Sequence, residues 1–97
     1  MSESSEENVR RLRIIYHGHV QGVGFRFTTA SLARRYPVVG YVKNLPNGTV
    51  ELVVEGGAGA VDEFLQAIAR TFRGYIRSWD VSDLPPGERF ERFEIRY

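Results

Sequence analysis

Leu12-Arg13-Ile14-Ile15-Tyr16-His17-Gly18-His19-Val20-Gln21-Gly22-Val23-Gly24-Phe25-Arg26 changes periodicity part-way along. Leu12, Ile14 and Tyr16 alternate with Arg11, Arg13 and His17, and a period of two with one polar face predicts a half-buried strand. Gly18 to Gly24 carries three glycines and predicts a loop. Phe25, Thr29, Leu32, Ala33 and Tyr36 then recur at helical spacing until Pro37 closes the helix. A strand, a glycine-rich loop and a helix therefore follow one another directly.

Outward from this unit the pattern continues. Val38 to Lys43 reads as a second strand and Thr49 to Glu55 as a third, with Val50, Leu52 and Val54 inward and Glu51 and Glu55 outward. Asn44-Leu45-Pro46-Asn47-Gly48 joins them as a short hairpin connection, since Pro presets φ and Asn-Gly tolerates a left-handed backbone. Gly56-Gly57-Ala58-Gly59 reads as a flexible bend into a second helix with the apolar stripe Val61, Phe64, Leu65, Ile68 and Phe72. Asp62 and Glu63 are assigned to its first turn, Arg70 and Arg73 to its last, and Gly74 to the position just past its end. Tyr75 to Val81 is the fourth strand, Leu84-Pro85-Pro86-Gly87 a loop, and Phe93, Ile95 and Tyr97 alternate into a short last strand.

This element order predicts an α+β chain, a ferredoxin-like split βαβ sandwich with two helices on one face of a four- to five-stranded, mainly antiparallel sheet. The uncovered face is left to Arg, Glu and His. In such a unit the first and second strands run parallel with the third between them. Their C-terminal ends emerge at one edge, so the glycine loop and Asn44 should be neighbours.

At 97 residues and 42% apolar the chain suffices for one small domain, assigned to residues 10–97 after a disordered tail over residues 1–9. The absence of cysteine rules out a disulfide framework and a thiol nucleophile and suits a reducing compartment. No apolar run has the length of a membrane span, so a cytoplasmic protein, a monomer with no membrane partner, is expected. Net charge is +1, but three glutamates lie within the first eight residues, and the remainder holds thirteen bases against nine acids. That excess favours a small anion and falls short of a nucleic-acid stripe, so no nucleic-acid partner is expected.

The glycine loop is where chemistry is expected. Glycines let backbone N–H groups approach a ligand closely, the helix start adds a partial positive charge, and the Arg26 fork matches a phosphoryl group. The same string also serves as an ordinary turn, and two better-known phosphate loops are excluded: Val23 stands where one needs glycine, and Phe27 where the other does. Asn44 can accept from a water and donate to a phosphoryl oxygen, although Asn starting a turn is equally common. His17 and His19 share a strand face without a third ligand, so no metal and no cofactor are expected. The competing reading is a non-catalytic anion- or nucleic-acid-binding module on the same fold, since RNA-recognition domains share it.

Gly18 to Arg26, followed by Gly40-Tyr41-Val42-Lys43-Asn44, Gly48-Thr49-Val50-Glu51 and Gly56, resembles the acylphosphatases, as does the ending Phe93-Glu94-Ile95-Arg96-Tyr97. The resemblance spans roughly residues 10–97 and implies hydrolysis of acyl phosphates to carboxylate and inorganic phosphate. Carried over by position, it implies that Arg26 and the backbone amides of Gln21, Gly22, Val23, Gly24, Phe25 and Arg26 hold the phosphate. It also implies that Asn44 positions the attacking water and that Thr49 supplies a supporting hydroxyl near it. His19 stands where many members have Arg, Tyr16 replaces a smaller aliphatic, and Arg73-Gly74-Tyr75 replaces a commoner Gly-Pro step. His19 lies on the loop, where its side chain is expected to alter substrate affinity.

Overall fold

The computed structural model describes residues 8–97, so most of the expected tail lies outside the described residues. Seven elements follow in order: β1 (Val9–Gly18), α1 (Phe25–Ala33), β2 (Val38–Asn44), β3 (Val50–Gly57), α2 (Ala58–Thr71), β4 (Ile76–Asp83) and β5 (Phe93–Arg96). Strand β1 takes in Val9, the last residue of the expected tail, by pairing it with Gly57.

The five strands form one sheet in the order β4-β1-β3-β2-β5. All neighbours are antiparallel except β2 and β5, where Gly40 aligns with Phe93 and Lys43 with Arg96. Both β1 and β2 are antiparallel to the strand between them, so they point the same way. The glycine loop and Asn44 therefore leave the sheet at one edge, as the element order requires.

Alternation decides the two faces. Leu12, Ile14, Tyr16, Val42, Val50, Leu52 and Val54 are buried against the helices, which contribute Phe25, Ala33, Val61, Phe64 and Ile68. Burying one such side chain stabilises the fold by about 1.5–3 kcal/mol. On the open face Arg11 pairs with Glu55 at 2.8 Å and Arg13 with Glu51 at 2.6 Å. The Arg96 guanidinium lies 4.1 Å from the Tyr41 ring centre and bonds to Glu88 and Glu94. These contacts fill the face with Arg and Glu as the alternation predicts, while holding the segment before β5 against it. His17 belongs to the same face, where it bonds to Asp80 at 2.9 Å.

Several boundaries differ from expectation: helix α1 ends at Ala33, short of Tyr36, and β4 runs on to Asp83. Helix α2 begins at Ala58, so Gly59 lies inside it and no acidic residue sits in its first turn; Arg70, but not Arg73, lies in its last. The Ala58 N–H donates to the Asn8 carbonyl at 2.9 Å. A chain-distant acceptor thus satisfies one terminal donor, which local sequence cannot reveal. Strand β4 is an edge, and Trp79 stays 54% exposed with Val81 beside it. Among the described residues, no helix is long and apolar enough to cross a membrane.

Gly40 is required by a close approach. Its φ is +140°, and a Cβ there would lie 1.9 Å from the Val53 carbonyl oxygen. Thr29, fully buried on α1, has a hydroxyl without a hydrogen-bond partner. An orphan hydroxyl in a core costs more than it returns, so Thr29→Val is expected to stabilise the fold by about 1 kcal/mol in denaturant unfolding.

Candidate active site

The loop between β1 and α1 is shaped by glycine. Gly18, Gly22 and Gly24 have φ of +127°, +81° and +77°, and a Cβ on Gly18 would strike the Tyr75 carbonyl at 2.4 Å. At Gly22 and Gly24 nothing crowds a Cβ, so there the demand is for the left-handed backbone itself. Gly24 caps α1 without any side-chain hydrogen bond. Among the described residues, no acceptor receives the backbone N–H groups of Gly22, Val23, Gly24, Phe25, Arg26 and Phe27. Unsatisfied donors at a helix start attract an anion.

The helix start is anchored from below. Phe25 is 2% exposed, and its ring lies 4.3 Å from that of Phe72 and 5.1 Å from that of Tyr16, centre to centre. Its neighbour Arg26 consequently faces out into a cleft of about 220 Å³ that Gly22, Gly24 and Asn44 also line. The Arg26 guanidinium lies 4.7 Å from the Tyr97 ring centre, and its Nη1 donates to the Arg96 carbonyl at 3.5 Å. No carboxylate among the described residues pairs with it. The charge is thus steadied but not neutralised.

Asn44 ends β2 at the same cleft, and its Oδ1 is buried without a hydrogen-bond partner. Buried polar atoms are nearly always satisfied, so an orphan acceptor facing a cleft marks a place for a water or a ligand donor. The loop is tied to the turn after Asn44 by Gln21, whose Nε2 donates to the carbonyls of Leu45 and Thr49, both at 2.8 Å. Gln21→Ala is expected to lose about 1–2 kcal/mol of stability, for two hydrogen bonds worth about 1 each. It should lower turnover too, because the two halves of the cleft would be free to part; unfolding and rate measurements on one sample check both.

The expected site residues divide in this geometry. Gly22, Gly24, Phe25, Arg26 and Asn44 come together at the cleft. The Gln21 side chain ties the loop to the turn while its backbone N–H meets no acceptor among the described residues, and Val23 packs against the core. The Thr49 hydroxyl donates to the Asn47 side chain at 2.6 Å, within the turn, and makes no bond to Asn44. His19 is turned to Tyr75, with ring centres 6.2 Å apart, and is not part of the cleft lining. The expected influence of its side chain on substrate therefore has no contact behind it. Sequence reasoning missed Val20, Phe27, Ile95 and Tyr97, which complete the lining. Phe27 did carry a signal: two residues after the core-facing Phe25, it puts an aromatic ring where helical spacing calls for a polar side chain.

Comparison with known proteins bears on this arrangement. The sequence model of the Acylphosphatase family matches residues 12–95. An acylphosphatase of Archaeoglobus fulgidus is 38% identical over 92 residues, covering 89% of this chain and 97% of its own. One from Methanospirillum hungatei is 39% identical over 69 residues, covering 71% and 76%. The crystal structure of acylphosphatase from Bacillus subtilis superposes with a TM-score of 0.81 at 34% identity, covering 92% of this chain and 99% of that one.

Proposed function

The chain belongs to the acylphosphatase family, and on that premise we propose that the cleft between the glycine loop and Asn44 carries out hydrolysis of acyl phosphates. The reaction splits a carboxyl–phosphate anhydride with water into carboxylate and inorganic phosphate. The single observation that carries the assignment to this cleft is the meeting of an uncompensated Arg26, free loop amides and the orphan Asn44 Oδ1.

The amides from Gly22 to Phe27 and the Arg26 fork grip the phosphoryl oxygens and meet the charge that develops on them. The Asn44 carbonyl accepts a hydrogen bond from a water and aims its oxygen at phosphorus, while the acyl oxygen departs with the bonding electrons. The Asn44 amide is not a base, and among the described residues the cleft lining contains no His, Asp, Glu or Lys. A phosphoryl oxygen therefore takes the proton of the attacking water. An anhydride is reactive enough for positioning and charge stabilisation to suffice.

It follows that His19→Ala should leave the pH–rate profile unchanged between pH 5 and 8, roughly the range where an imidazole titrates. A limb in that range that disappears in the variant would mean that His19 takes part. The proposal extends to a cytoplasmic monomer, a location that a sequence without cysteine suits. The functional test is direct. Phosphate release from acetyl phosphate should be fast with the wild-type protein, and release at the uncatalysed rate would reject the proposal.

A further inference from the structure

We propose that Phe27 and Tyr97 form an acyl-binding rim that selects acyl phosphates with a flat apolar acyl group, an inference resting on the acyl-phosphate reading of the cleft. The floor of the cleft is polar where Gly22, Gly24, Arg26 and Asn44 meet. Its remaining surface is apolar and includes Ile95, Phe27 and Tyr97. Phe27 is 72% exposed and Tyr97 is 91% exposed, so both rings stand at the mouth, not in the core.

Large apolar side chains at the mouth of a polar cleft have no folding role that burial would reward. Phe27 follows the anchoring Phe25 on the opposite side of α1, so the core does not account for it. Tyr97 packs one face toward the Arg26 guanidinium and thus lies beside the bound phosphoryl group. In an in-line displacement the leaving acyl group must lie away from the attacking water, and the walls other than Asn44 offer it these rings. A planar acyl group gains stacking contact there, while a methyl group is too small to reach across the rim.

Phe27 is the position to vary, because Tyr97 also steadies Arg26. The measurement is the ratio of kcat/KM for benzoyl phosphate to that for acetyl phosphate. In Phe27→Ala this ratio should fall about tenfold, carried by KM for benzoyl phosphate, and in Phe27→Tyr it should stay within about twofold of wild type. An unchanged ratio in Phe27→Ala overturns the rim while leaving the hydrolase intact. A wild-type protein that turns over neither compound overturns both.

Discussion

Arg26→Ala is expected to lose at least about a thousandfold in kcat/KM for acetyl phosphate, the loss associated with removing an arginine from a phosphoryl-transfer site. Arg26 supplies the cleft's permanent charge. Nothing among the described residues neutralises it, so its field is directed into the cleft. Inhibition by inorganic phosphate should weaken in parallel, because the same fork holds product and substrate. Arg26→Lys should recover only a small part: an ammonium carries the charge but cannot present two parallel donors. Neither change should unfold the protein, since the helix start is anchored by Phe25 and not by Arg26. A variant with wild-type stability and wild-type phosphate inhibition would show that the anion is bound elsewhere.

Asn44→Ala is expected to reduce kcat by about 10²–10³, by analogy with deleting one preorganised hydrogen-bonding group from a transition state. Phosphate inhibition should be nearly unchanged, which separates aiming the water from holding the anion. Stability should not fall, and the reason lies in the same atom. Among the described residues no protein group donates to Asn44 Oδ1, so removing it breaks no contact within the fold. Lower turnover with equal or higher resistance to denaturant is the combined signature of a functional polar group. Full turnover in Asn44→Ala would remove it from the mechanism.

The order of elements was legible because each announces itself locally. The period-two run through Leu12, Ile14 and Tyr16, the helical spacing that starts at Phe25 and the Asn47-Gly48 turn are independent of distant partners. The approach of Asn44 to the glycine loop followed from topology alone. The start of α2 was not legible, because its first turn contains Gly59 and borrows an acceptor from Asn8. The rim was hidden for a similar reason: Tyr97 matters only because β5 runs parallel beside β2, bringing the chain end to Arg26. Two departures from the family pattern also find each other only in space, where the His19 ring stacks on Tyr75 and the His19 backbone N–H donates to the Tyr75 carbonyl at 2.8 Å.

Hydrolysis of benzoyl phosphate in water enriched in the heavy oxygen isotope, at an enzyme concentration where uncatalysed turnover is negligible, asks where the water attacks. Attack on phosphorus from the Asn44 side places the label in inorganic phosphate and leaves benzoate unlabelled. Label in benzoate would mean attack on the carbonyl carbon, which a cleft built to hold phosphoryl oxygens and aim water at phosphorus cannot produce.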